Sequence, residues 1–151
     1  MRPNLMKAMA GGLAGTVLMT LMMYFVAPMM LGHPMDIAAM LGKMMGNSWG
    51  LGMLAHLMNG IIVFPLIYTF FVYKNIKGAP VARGMVWGII LWLVAELIVM
   101  PMAGAGFFSA NIGGMKAVMA ALIGHVVYGG TLGAIVGESE SPEVKPKLKH
   151  A

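Results

Sequence analysis

Residues 116–138 read K-AVMAALIGHVVYGGTLGAIVG-E, and the 21 residues between the lysine and the glutamate carry no formal charge. An α-helix rises about 1.5 Å per residue, so roughly 20 apolar residues cross the ~30 Å hydrocarbon core of a bilayer. The stretch is therefore predicted to be a transmembrane helix. It contains one ionisable side chain, His125, and glycines at every fourth position, Gly129, Gly133 and Gly137.

The composition extends this interpretation to the whole chain. Of the 151 residues, 60% are apolar and 10% are charged, and the mean hydropathy is +0.84. A soluble domain has about 25% charged residues and could not cover its surface with so few. The chain has no cysteine, which excludes disulfides and thiolate metal sites. Its basic pI of 9.7 is typical of lysine-rich loops beside a membrane, and no basic stripe indicates a nucleic-acid partner.

Four apolar runs predict an all-α integral membrane bundle, with spans at about 7–30, 51–73, 84–102 and 117–137. A short amphipathic helix at about 36–46, capped by Asp36, is predicted to lie in the membrane interface. Residues 1–137 then form one membrane domain, and the charged, proline-containing residues 138–151 are expected to be a disordered tail. The two halves share enough features, including H-x-x-x-G at His56 and His125, to suggest a 2+2 parallel repeat.

The positive charges divide unequally between the two sides of this topology, and cytoplasmic loops carry the excess. Both termini are therefore predicted to be cytoplasmic. The other side holds Lys43 and Lys116. The richer side holds eight basic residues, namely Arg2, Lys7, Lys74, Lys77, Arg83, Lys145, Lys147 and Lys149.

Three ionisable residues lie within the predicted spans, His56, Glu96 and His125. Counted from the span ends, all three fall in the outer half of the bilayer, within about one helical turn of each other. The simplest interpretation is a structural cluster that holds the helices together by hydrogen bonds. Alternatively, His56 and His125 ligate a haem b iron from both faces, or the three side chains bind a divalent metal.

The chain is rich in methionine, with 19 residues, and many of them fall on the outer side. Thioether sulfur suits Cu(I), and Met40 and Met44 lie one turn apart beside His33, so a copper site is a second possibility. The alternative is that methionine serves as flexible apolar filler.

Small residues recur at four-residue spacing in three of the spans. Such residues let helix backbones approach closely in lipid, and packing within the bundle is favoured over an oligomer interface. The glycines predicted to pack in this way are Gly11, Gly15, Gly84, Gly88, Gly129, Gly133 and Gly137.

The chain carries no hydrolase, metalloprotease or phosphate-loop signature, so no enzyme activity is predicted. Five stretches together span most of the chain, namely GGLAGTVLMT at 11–20, DIAAMLG at 36–42, RGMVWG at 83–88, PMAGAGFF at 101–108 and GHVVYGGTLG at 124–133. These stretches resemble a group of small four-helix bacterial inner-membrane proteins known only as a domain of unknown function. This resemblance implies a location in the bacterial cytoplasmic membrane and no established activity.

Two functions remain open at this stage. The first is an accessory or structural subunit in the lipid bilayer, either as a homo-oligomer or within a larger membrane complex. The second is a haem- or copper-binding membrane protein, or a small oligomeric transporter. That second function would use His56, Glu96, His125 and the outer methionines.

Overall fold

A computed structural model describes residues 4–137, and this part of the chain is helical, without a strand. The predicted all-α membrane bundle is confirmed, because four of the helices are long and apolar enough to cross a membrane. The predicted tail at 138–151, together with Arg2, lies outside the described residues. The helices are α1 (Leu5–Leu31), α2 (Ile37–Lys43), α3 (Trp49–Asn75), α4 (Pro80–Met102) and α5 (Met115–Val136).

The long helices begin slightly earlier than the apolar runs, because capping residues lie before those runs. The Asn4 side chain accepts a hydrogen bond from the Lys7 backbone N–H at 3.2 Å, and Ser48 accepts one from Leu51 at 3.3 Å. Helix α4 starts at Pro80, since proline is well suited to the first helical turn, where its missing N–H is not needed. Helix α2 is shorter than the predicted interfacial helix.

Asp36 caps α2, as predicted, and also ties it to two spans. Its Oδ1 accepts the Ala39 backbone N–H at 2.8 Å and the Tyr24 hydroxyl at 2.8 Å, while the Trp49 indole N–H reaches both carboxylate oxygens. Burial raises the pKa of Asp36, but these hydrogen bonds outweigh it and hold the pKa below the usual range. Helix α2 is thereby fixed across the ends of α1 and α3.

Helix α5, the stretch quoted at the outset, is the central element of the bundle. In its most apolar window 44% of the residues are buried, against 17% to 28% in the other three spans. Glycines permit this central position, because α4 packs on α5 without intervening side chains. A Cβ added to Gly84 would collide with the Gly129 carbonyl oxygen, and one added to Gly88 with that of His125. Gly133 likewise lies against the Pro80 carbonyl.

The other face of α5 receives α1. A Cβ on Gly15 would lie 2.9 Å from the Tyr128 ring, and one on Gly11 3.2 Å from Leu132. Gly137 differs from the other predicted packing glycines. It ends α5 with a φ of 66°, and the atom nearest to an added Cβ would be 3.9 Å away. Gly137 therefore serves to end the helix rather than to bring another helix close.

The outside of the bundle is apolar. Large side chains such as Phe25, Phe71 and Ile98 are more than half exposed, whereas soluble monomers rarely expose large contiguous apolar patches. This surface is suited to contact with the lipid bilayer.

Three of the spans contain a π-helical turn, a feature that the sequence interpretation did not foresee. The segments Met22–Val26, Asn59–Val63 and Ala95–Val99 each end two residues before a proline, Pro28, Pro65 and Pro101 respectively. A proline ring clashes with the carbonyl four residues earlier, and here that carbonyl always belongs to the π turn. The wider turn removes the clash, so the helix continues past the proline. A fourth π turn, Tyr68–Val72, has no such proline.

Candidate functional site

A cavity of about 120 Å³ lies inside the bundle, towards the end that α2 covers. All five helices contribute to its wall, and the three proline-linked π turns supply Met23, Asn59, Gly60, Ala95, Glu96 and Val99. A π turn displaces the backbone outwards and often marks a functional site. Three of the four π turns among the described residues thus lie at the cavity wall.

His56, Glu96 and His125 all line this cavity. The structure thus brings together the three ionisable residues that the sequence placed at similar depth. None of the three is hydrogen-bonded to another, however; each has a different partner elsewhere.

His125 bonds within its own helix. Its Nδ1 lies 2.8 Å from the Ala121 carbonyl oxygen. A carbonyl oxygen only accepts, so Nδ1 carries the proton and donates it. In the neutral ring, Nε2 is left with a free lone pair.

His56 bonds across helices, to Thr20 of α1. Its Nε2 is 2.9 Å from the Thr20 hydroxyl oxygen. That hydroxyl has a single proton, which it donates to the Thr16 carbonyl at 2.7 Å. The His56 Nε2 must therefore donate to Thr20, which fixes the tautomer of this ring as well.

Glu96 is completely buried, on the π turn of α4. Its Oε2 accepts a hydrogen bond from Ser109 at 2.8 Å, whereas Oε1 has no partner among residues 4–137. Ser109 is held in place by the short turn Phe107–Ser109 between α4 and α5. A buried carboxylate oxygen without a partner is costly. Four other buried side-chain atoms among residues 4–137 also lack a partner, but Glu96 is the only one of these residues that lines the cavity. The other four atoms are Tyr68 Oη, Thr69 Oγ1, Arg83 Nε and Trp87 Nε1.

Methionine dominates the apolar part of the wall. Within the described chain, the buried methionines are Met19, Met23, Met35 and Met100, and all four line the cavity. The partly buried Met40 joins them. Filler methionines would be buried throughout the bundle, so their concentration at one cavity is informative.

The other predicted metal-binding residues do not reach the cavity. His33 is exposed and its ring bonds to the Pro34 carbonyl, and Met44 is 41% exposed, so the structure does not bring these two together with Met40 in one site. Across residues 4–137, no three histidine, aspartate or glutamate side chains are arranged to hold a metal ion. His56, Glu96 and His125 share a cavity without forming a ready set of ligands.

The cavity is also small for a haem. An apolar cavity of roughly 150 Å³ holds a single benzene ring. A haem macrocycle has four pyrrole rings, so it would not fit between His56 and His125 with the helices where they are. The residues present do not fit this cofactor.

The chain matches the model of one protein family over nearly its whole length. The family model of DUF6789, described as a family of unknown function, matches residues 2–145. This chain belongs to DUF6789. The match covers all four spans, so the resemblance to small four-helix proteins that carry a domain-of-unknown-function label is confirmed. No curated protein and no solved structure matches the chain.

In this DUF6789 protein the sequence did not reveal the hydrogen-bond partners of two cavity residues, Thr20 for His56 and Ser109 for Glu96. The four buried methionines could not be told from the exposed ones. The available signal was the proline in each of three spans, since each marks a widened turn a few residues earlier.

Proposed function

We propose that this protein is a non-enzymatic integral membrane protein that binds a small ligand in the cavity beside Glu96. The observation that carries the proposal is the buried Glu96 Oε1, which has no partner among the described residues. A carboxylate that only held helices together would have both oxygens paired, because buried polar groups are almost always satisfied. An ionisable group that faces a cavity inside the membrane is typical of a binding site or pathway.

The accessory-subunit hypothesis predicts something different. There, hydrogen bonds between helices would be the purpose of His56, Glu96 and His125. Of the hydrogen bonds that these three side chains make, only the one between His56 and Thr20 joins two spans, while His125 bonds to its own helix. The hydrogen-bond acceptors that remain unused favour a bound molecule over helix association as the role of these residues. A role as subunit of a larger complex is compatible with such binding but is not required by it.

Binding of a benzene-sized probe tests the proposal. Toluene should raise the thermal unfolding temperature of the purified protein in detergent. Val99→Phe and Ala121→Leu introduce larger side chains at the cavity wall and should abolish the rise. Val81→Phe makes the same change on the lipid side of α4, where Val81 is 46% exposed, and should keep it. Equal toluene effects in all variants would argue for partition into the micelle and against a binding site.

A second arm separates binding from structure. Glu96→Gln keeps the size of the side chain and removes the charge. If Glu96 is a binding residue, the empty protein should be as stable as wild type or more stable, because a poorly paired buried charge is lost. A large loss of stability would instead favour the structural role.

We also propose that both termini face the cytoplasm and that the protein resides in the cytoplasmic membrane of a bacterium. The orientation is supported by the distribution of lysine and arginine, eight on one side against two on the other, and the bacterial location by the resemblance to small bacterial inner-membrane proteins.

A further inference from the structure

The two hydroxyl groups among the cavity-lining residues, those of Thr16 and Tyr128, already donate hydrogen bonds to backbone carbonyls. The Thr16 hydroxyl donates to the Gly12 carbonyl at 2.7 Å, and the Tyr128 hydroxyl donates to the Gly60 carbonyl at 2.7 Å. Each hydroxyl has one proton, so only oxygen lone pairs remain for a ligand. Towards the cavity these two residues can act only as acceptors.

The ionisable residues give the same result. His125 donates through Nδ1, which leaves Nε2 as an acceptor, and Glu96 Oε1 is an acceptor when the carboxylate is ionised. Of the side chains that line the cavity, only Asn59 brings amide protons of its own. The free hydrogen-bonding capacity of the wall therefore consists almost entirely of acceptors.

The rest of the cavity wall is apolar and favours a ligand with a hydrocarbon portion. Four buried methionines and Phe64 surround the space, and flexible thioether side chains adapt to ligands of irregular shape. Aromatic faces such as those of Phe64 and Tyr128 also attract cations. Glu96 is the only carboxylate among the lining residues, and no lysine or arginine is among them to neutralise it.

We propose that the ligand is a small apolar amine, bound as its ammonium cation with the nitrogen beside the Glu96 carboxylate. An ammonium group brings several N–H donors and one positive charge, and so complements a wall of acceptors that carries one carboxylate. The volume of about 120 Å³ is slightly smaller than the roughly 150 Å³ that holds benzene, so the hydrocarbon part is at most one ring, and the flexible methionines must move to admit it. The inference rests on the proposed function, since it names the chemistry of a ligand for the same cavity.

Three probes of nearly equal shape test this inference, namely toluene, benzyl alcohol and benzylamine, the last of which is protonated at pH 7. Their affinities for wild type and Glu96→Gln are measured from thermal shifts in the same detergent. Benzylamine should bind wild type at least about tenfold more tightly than benzyl alcohol, because a hydrogen bond to a charged buried group is the stronger kind. In Glu96→Gln this preference should disappear while toluene binding is unchanged.

The outcomes separate the inference from the proposal on which it rests. If toluene binds but benzylamine and benzyl alcohol bind wild type equally, the amine is excluded and the cavity remains a binding site. If none of the three binds, both fail. The comparison in wild type alone is decisive even if Glu96→Gln does not fold. Silver nitrate serves as a soft-metal probe: stabilisation by Ag(I) without any preference for benzylamine would overturn the amine in favour of a thioether metal site.

Discussion

Two adjacent glycines of α5 allow the close backbone packing of α4 against α5 to be tested with a closely matched control variant. A Cβ at Gly129 would fall on the Gly84 carbonyl oxygen and 2.9 Å from the Gly88 Cα. One at Gly130 would meet no atom closer than the Met85 Cγ, at 3.4 Å, which is an ordinary contact with a flexible side chain. Gly129→Ala and Gly130→Ala therefore add the same methyl group, which overlaps backbone atoms at Gly129 but fits without a clash at Gly130.

The expected difference can be worked out from these contacts. Both variants gain about 1 kcal/mol of helix propensity, and this gain cancels in the comparison. At Gly129 the obstacle is backbone, so α4 and α5 must separate by more than about 0.5 Å, which forfeits at least a quarter of the dispersion attraction across the gap. Overpacking of this kind costs about 1–3 kcal/mol, and a rigid neighbour favours the upper end. We expect Gly129→Ala to be about 3 kcal/mol less stable than Gly130→Ala, roughly a hundredfold in the folding equilibrium.

Reversible unfolding in mixed micelles of increasing SDS content measures both free energies. Size-exclusion chromatography of the same samples shows whether the oligomeric state changes. If the two variants unfold with the same midpoint, the proposed backbone contact between α4 and α5 at Gly129 is refuted. If Gly129→Ala alters the oligomeric state at unchanged stability, the glycines serve an interface between copies.

Two further predictions concern α2 and the orientation of the chain. The pKa of Asp36 is held below its usual range in the folded protein, so its stabilising contribution is complete above the pKa of the unfolded chain and is lost as pH falls through the folded-state value. Thermal unfolding of wild type should show this acidic loss and that of Asp36→Asn should not; parallel curves would refute it. The chain has no cysteine, so Lys77→Cys and Lys43→Cys each create a single thiol. In intact cells a membrane-impermeant maleimide should label Cys only in the Lys43→Cys variant, and the reverse pattern would invert the proposed topology.

The bundle could be predicted from the sequence because the constraint that creates it is one-dimensional. The length of each apolar run indicates whether the segment spans the membrane, and the flanking basic residues indicate its orientation. Both can be read from the sequence, since residues such as Lys74 and Lys116 mark the ends of the runs. Counting residues from the ends of the spans was also enough to bring His56, Glu96 and His125 to one level, since a helix converts residue number into depth.

The partners of these residues could not be predicted in the same way. Which face of α1 carries Thr20, and which carries Met19, depends on how the helix is rotated about its axis, and apolar side chains all round leave that rotation unspecified. Ser109 reaches Glu96 from a turn in which its φ is 51°, a conformation that residue type alone does not indicate. The π turns add a residue to the local repeat, so a regular 3.6-residue pattern loses its phase along the span.

This extra residue changes what a deletion would do. Removing one residue from an ordinary α-helix rotates everything beyond the gap by about 100° and turns its buried face outwards. Removing one residue from Asn59–Val63 or Ala95–Val99 would instead convert a π turn into an α turn, which keeps the helix on either side in register but restores the clash with Pro65 or Pro101. We expect a chain that is one residue shorter at either turn, with that proline also replaced, to keep the bundle and lose the space beside Glu96.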